Sequence, residues 1–348
     1  MKADNSSPDR IVPDLSRRDL FRTVGLATGG AMLLGLPKFL GGWTPEAEAA
    51  ITTSYVASRV GLELDGTFVA YIASIEGGNA FADIVPEAVG PDMIQRKRPG
   101  LVKFEDLVIP VGLGFVAESL SKWINETLAT SPTSKNGAIV YVNPMNYQEV
   151  KRLEFFNAML TEVTVLALDF TIKATQALTL RITPQTTRLV GSTGKILSST
   201  LGTQSKSVLS NFFRFNVQGL EKACGRISKV DSIVARRSVA GAVVGQDKFM
   251  QSAPGVLDCS IVRITLPEAD AGPFYAWFND SVVGGKAGGE RAGLLEWLDS
   301  TLKTVVASVQ LGGLGIVRYA PNPINASTAG SPAIVQVDMY CESINLNI

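Results

Sequence analysis

From residue 54 onward, apolar and polar positions alternate with a period of about two, the spacing of strands that bury one face. Val60-Gly61-Leu62-Glu63-Leu64 reads as a strand ending at Asp65-Gly66, a tight-hairpin dipeptide, and Phe68-Val69-Ala70-Tyr71-Ile72 resumes beyond it. Leu107-Val108-Ile109-Pro110-Val111 is another strand, and its proline predicts an edge position or a strand end. Residues 117–128 change period: Leu120, Trp123, Ile124 and Leu128 share one face of a short amphipathic helix. After a polar turn over 130–137, Ala138 to Val142, Ala158 to Phe170 and Ala177 to Thr183 read as strands rich in Val, Ile, Leu and Thr.

The second half runs through the same order. Phe213 to Gly219 aligns with Val60 to Gly66, Ile261 to Ile264 with Val108 to Val111, and Phe274 to Asn279 with Leu120 to Asn125, at a nearly constant offset. Trp123-Ile124-Asn125 and Trp277-Phe278-Asn279 end the two helices alike, with Trp123 and Trp277 as anchors packed on the sheets. Val305 to Leu311, Gly315 to Tyr319 and Ile334 to Tyr340 match the later strands if Gly284 to Leu298 is an insertion after the second helix. The pattern predicts a tandem duplication: one domain over 50–190, a Ser/Thr/Gly-rich linker over 191–207 and a second domain over 208–348. The expected fold class is mainly β (α+β), two small antiparallel barrels each with one flanking helix.

Composition removes most chemistry. The 348 residues include 32 basic and 32 acidic side chains, three cysteines and no histidine. Hydrophobic residues at 46% against 18% charged fit a folded chain, and zero net charge gives no footprint for nucleic acid. Without histidine there is no Ser-His-Asp or Cys-His nucleophile system and no His-ligated metal. Cys224, Cys259 and Cys341 lack metal or redox spacing, and which of them pair, if any, is open. Asp65-Gly66 and Glu76-Gly77-Gly78-Asn79 lack the alternating oxygen donors of a calcium loop and read as turns. Gly284 to Arg291 lacks the Gly-Lys-Ser/Thr ending of a phosphate cradle and reads as a flexible insertion. Lys222 beside Glu221 has no partner suited to Schiff-base or general-base work. The expectation is no enzyme, no cofactor and no metal.

The first 49 residues read as an address. Ser16-Arg17-Arg18-Asp19-Leu20-Phe21-Arg22 precedes an apolar Gly/Ala-rich run, and Ala47-Glu48-Ala49 forms a small-x-small cleavage site. Arg17, Arg18, Leu20 and Phe21 in this order resemble a twin-arginine export signal, with cleavage after Ala49. The run ends at Pro37-Lys38, short of the roughly 20 residues that span a bilayer. The resemblance implies export to the periplasm or beyond, with the export machinery as a partner; without a working signal the chain stays cytoplasmic or particle-associated.

A second resemblance rests on order rather than on one motif. The strand pair Arg59 to Val85, the polar stretch Gly90 to Gly112 with its Lys103-Phe104-Glu105-Asp106 strand entry, and the helix carrying Lys122-Trp123-Ile124 together resemble the tail-tube proteins of contractile bacteriophage tails and injection systems. The second half shares that resemblance only through the internal repeat. The family implies a small antiparallel barrel whose subunits join sheet edges into six-membered rings, with a long loop reaching the next ring. Here that loop is Glu76 to Gly100, in which Glu76, Gly77, Gly78, Arg96, Lys97 and Arg98, with Lys103 just beyond, are the inter-ring candidates. A two-domain chain then implies a homo-oligomer, a pseudo-sixfold ring of three copies, with sheath or baseplate proteins as partners. The competing expectation is a twin-arginine-exported envelope or surface protein that uses the duplicated barrel as a monomeric binding module.

Overall fold

The computed structural model describes residues 59–88, 93–113, 116–129, 132–197, 208–242, 251–286, 288–322 and 333–348. The signal residues Arg17, Arg18, Leu20, Phe21, Ala47 and Ala49 lie outside them. Asp65 and Gly66 both take positive φ (47° and 80°), the turn whose twist matches paired strands, and join Arg59–Leu64 (β1) to Thr67–Ile72 (β2). A hairpin of Ala80–Pro86 (β3) and Lys97–Phe104 (β4) follows, then Leu107–Gly112 (β5) and the helix Glu118–Leu128 (α1). Ser134–Val142 (β6), Glu149–Val165 (β7), Leu168–Asp169 (β8), Ala177–Thr183 (β9) and Thr186–Gly191 (β10) complete the first half.

The order β7-β6-β1-β2-β5-β9 returns to β7, because β9 pairs with the far end of that 17-residue strand. The barrel so closed is filled by the alternate positions the sequence marks: Leu62, Val69, Ile109, Ile139, Leu160 and Leu180 are all buried. Helix α1 presents Leu120, Trp123, Ile124 and Leu128 to this core, as its spacing predicts. Pro110 sits inside the sheet rather than at its edge. Val108 N–H donates to Glu76 on the β2 side, so the N–H that Pro110 lacks falls on that same side, where β5 pairs with β2 only through Ile72 and Val111.

The second half contains Phe213–Val217 (β11), a one-turn helix Glu221–Cys224 (α2), Lys229–Val230 (β12), Ile233–Ala242 (β13), Gln251–Cys259 (β14) and Val262–Pro267 (β15). Gly272–Phe278 (α3) with its π-turn, Arg291–Leu298 (β16), Val305–Pro321 (β17), Ile334–Tyr340 (β18) and Ser343–Asn347 (β19) follow. Its sheet runs β11-β16-β17-β18-β15-β12-β8, with β19 on β17. Where the first half has β2, the stretch Glu221-Lys222-Ala223-Cys224 has no β-branched residue and coils into α2, burying Ala223 and Cys224.

Four further expectations are corrected. Gly284 to Leu298 is not a flexible insertion: Arg291–Leu298 is an inner strand between β11 and β17, with Leu295 and Trp297 fully buried. The alternation Leu295, Trp297 carries the strand signal, which the preceding glycines obscured. Val305 to Leu311 and Gly315 to Tyr319 are one 17-residue strand, since the glycines between them, with Gly313 at φ 64°, form a bulge and not a break. Finally, most of the described polar stretch after Glu76 is the β3–β4 hairpin, paired from Ala80–Phe104 to Pro86–Lys97. Of the segment expected as a linker, the residues up to Leu197 pack on the barrel: Lys195 pairs with buried Glu63 at 2.5 Å, and Leu197 N–H donates to Tyr147 at 2.9 Å. Residues 198–207 lie outside the described residues.

Candidate assembly interface

The geometry that stands out is a strand-addition joint between the two halves. Strand β13 lies antiparallel on the far end of β7, with Ile233 opposite Val165 and Arg236 opposite Glu162. Arg236 closes the pair with a 2.6 Å contact to Glu162, which also receives Arg181 at 3.6 Å. Next to it, buried Arg237 holds the end of α1: Nε and Nη2 donate to Thr127 O at 3.0 and 2.8 Å, Nη2 also to Ala129 O, and Nη1 donates to Gly255 O at 2.8 Å. Burial presses the Arg237 pKa below the ordinary arginine value, and helix-terminal carbonyls rather than a carboxylate face the charge. On the other side of α1, Asn125 acts as one more strand residue for β19. Its Nδ2 donates to Leu346 O at 2.7 Å and its Oδ1 accepts from Leu346 N–H at 3.0 Å.

Each part of the joint has a counterpart elsewhere in the chain. The β3–β4 hairpin pairs Ala80 with Phe104 and carries a bulge between Ala82 and Ile84; the β13–β14 hairpin pairs Ala235 with Cys259 and carries its bulge between Arg237 and Val239. The β7–β9 pairing is bulged between Leu160 and Glu162, and the β17–β18 pairing between Ile316 and Arg318. Strand β10 lies on β7 with Leu189 opposite Leu153, as β19 lies on β17 with Leu346 opposite Val309. Trp123 and Trp277 are buried and each donates Nε1–H, at 2.9 Å, to a carbonyl just ahead of the following strand, Thr133 O and Gly289 O.

The residues expected in the loop divide in two. Glu76, Gly77 and Gly78 form the hairpin's root: Glu76 and Val108 exchange both backbone bonds at 3.1 and 2.9 Å. Gly77 and Gly78 take φ of 83° and 81°, and a Cβ on Gly77 would lie 1.9 Å from Asp106 O. These glycines are therefore required by backbone geometry. Lys97, Arg98 and Lys103 are strand residues; Lys103 pairs with Asp83 across the hairpin, and Arg98 lies 3.6 Å from Glu87. Arg96 is exposed, its carbonyl accepting from Glu87 N–H at 2.9 Å near the tip.

Arg236, Arg237 and Glu162 were not singled out by sequence, and Asn125 was marked only as part of the Trp-apolar-Asn ending. Their role depends on a partner strand distant in sequence. All three cysteines are free thiols; a hydrogen bond between Cys259 and Cys341 holds Cys259 below and Cys341 above the usual thiol value, while burial pushes Cys224 up to about 11. Among the described residues no three His, Cys, Asp or Glu side chains converge as a metal site.

The sequence matches no protein-family model and no curated protein. Similar solved structures include the sheath–tube complex of an extracellular contractile injection system, PVC, in its extended state, at 16% identity over 43% of this chain and 99% of that one, with a TM-score of 0.36. The tube-terminating cap of the anti-feeding prophage is similar at 12% identity over 44% and 97%, with a TM-score of 0.30. Hcp1 from Flavobacterium johnsoniae is similar at 10% identity over 39% and 94%, with a TM-score of 0.24.

Proposed function

We propose that the chain is a structural subunit, two tandem copies of one tube-type domain, that assembles edge to edge into rings stacking as a tube. The observation that carries this is the joint of β13 on β7: it is head-to-tail, and among the described residues its two counterparts, β3 and the far end of β17, each lack a strand on the corresponding edge. A contact of that kind propagates, closing a ring when its rotation divides a full turn. The resemblance to tube proteins supplies the sixfold value, so three chains complete a ring. Exposed Arg96, just ahead of β4, is then the candidate contact between stacked rings. Sheath- or baseplate-like proteins are the partners that the resemblance implies. The twin-arginine segment would deliver the folded chain outside the cytoplasm before assembly, and replacing Arg17 and Arg18 by lysine tests this by leaving the protein inside the cell.

Negative-stain microscopy and mass photometry of the purified chain test the assembly. Rings of sixfold appearance and a three-chain mass are expected. A single-chain mass at tens of micromolar would refute the reading and favour the exported binding module.

A further inference from the structure

The ring reading leaves open which residues meet between chains, and the internal joint supplies a register for them. Among the described residues strand β3 pairs only with β4, which leaves its other edge open, and the far end of β17 pairs only with β18. Exposed apolar side chains stand at both places, four on the hairpin and one on β17. Phe81, Ile84, Leu101 and Val102 of the hairpin are 45%, 70%, 50% and 42% exposed, and Val317 beside the β17 edge is 42% exposed. Leu189 of β10 is 55% exposed, whereas Leu346, its counterpart inside the internal joint, is 2% exposed. An open strand edge flanked by exposed apolar side chains is a template for another strand.

Resting on the ring reading, we propose that a second copy of this chain covers these surfaces, its β3 adding to the far end of β17 in the register that β13 uses on β7. Matching the bulges places Phe81 where Arg236 stands and Arg318 where Glu162 stands. Phe81 of one chain then lies opposite Arg318 of the next, and Ala80 opposite Tyr319. The ion pair of the internal joint is replaced by a guanidinium over an aromatic face. Matching the helix endings places Asn279 against the backbone of Leu189 of the neighbouring chain, as Asn125 meets Leu346. Leu189 is buried when this contact forms. The hairpin is thus divided between tasks: Ala80 and Phe81 join the neighbour within a ring, and Arg96 remains for the next ring.

Cysteine pairing reads the register directly, because residues directly opposite on antiparallel strands have Cα atoms about 4.5–5.5 Å apart, within disulfide reach. The full chain carrying both Phe81→Cys and Arg318→Cys, oxidised with diamide, is expected to give two- and three-chain species on a non-reducing gel. Each single variant gives one chain, as does the native sequence with its own three cysteines. Phe81 is exposed, and Arg263 still holds Asp338 at 2.6 Å when Arg318, 3.7 Å from the same carboxylate, is replaced, so folding is retained. As a second reading, Leu189→Asp is expected to shift the mass from three chains to one with an unchanged circular dichroism spectrum. If the native chain forms rings but the double variant does not crosslink and Leu189→Asp still assembles, this register is overturned and the ring reading stands. If the native chain itself stays single, the ring reading falls with it.

Discussion

Arg237 is the clearest test of whether the joint between halves is held as described. Its guanidinium satisfies the carbonyls of Thr127 and Ala129 at the end of α1, and of Gly255 on β14. A hydrogen bond involving a charged group contributes about 1.5–3 kcal/mol, and an orphaned buried acceptor costs about 1–3 kcal/mol. In Arg237→Ala the Thr127 carbonyl is left buried, while water reaches the part-buried Ala129 and Gly255 carbonyls. Release of a desolvated charge offsets part of the loss. The net expectation is destabilisation by about 3 kcal/mol. With a urea slope near 3 kcal/mol per M, the upper end for small proteins, the midpoint falls by about 1 M. Arg237→Met keeps most of the volume but none of the donors and should fall nearly as far. A shift under about 0.3 M in Arg237→Ala, or full rescue by methionine, would show that packing rather than the carbonyl clamp holds the joint. Protein concentration must match across variants, since assembly stabilises by mass action.

Gly77→Ala is expected to destabilise by at least about 2 kcal/mol, combining left-handed backbone with a Cβ driven onto Asp106 O, whereas Ala at Gly66, where φ is also positive but the space is open, costs only the backbone part of about 1–2 kcal/mol; a chemical denaturation series compares them. Trp123→Phe and Trp277→Phe each lose one Nε1–H bond to a backbone carbonyl, and matched losses of about 1–2 kcal/mol in thermal or urea unfolding are expected; a large loss at one and none at the other would contradict their equivalent roles. Asp299 caps the β16–β17 turn, and the Thr301 hydroxyl, then backbone N–H groups, bring its pKa down to about 2. Its unfolded value is near 3.9, so its contribution is present above about pH 4 and lost as pH falls toward 2. Asp299→Asn should flatten the acid dependence of stability in that window, and an unchanged slope would count against the turn.

What was legible in the sequence was what local spacing determines. The Asp65-Gly66 hairpin, the face of α1 and the strand Ala177–Thr183 follow from periodicity and turn chemistry acting within a few residues. What was not legible depends on a partner far away. Strands β3, β4 and β14 are exposed along much of their length, and β13 turns the charged Arg237 inward, so hydrophobic alternation does not mark them; on the reading proposed above, part of the cover for β3 comes from another chain. Arg291–Leu298 was masked by the glycines before it, although Leu295 and Trp297 carried the alternation. Helix α2 shows the reverse case, a position that order alone assigned to a strand but that local composition turned into a helix.

The two joints, internal and proposed, need not have equal chemistry, and the residues differ in a consistent direction. Inside the chain, Arg236, Arg237 and Glu162 contribute charge, and the covalent link keeps the effective concentration high. At the matching outer positions stand Phe81, Ala82 and Arg318, and exposed Leu189 replaces buried Leu346. No tether assists that contact, so its strength must come mainly from apolar area removed from water, about 25 cal/mol per Å². Such a contact responds little to ionic strength, because screening weakens exposed charge pairs and leaves apolar burial intact or stronger. Assembly measured by mass photometry should therefore persist from low salt to about 0.5 M sodium chloride and weaken on cooling toward 4 °C. Dissolution of the oligomer by salt alone would place ion pairs, such as those of Arg96 or Arg98, at the centre of the joint instead of Phe81 and Leu189.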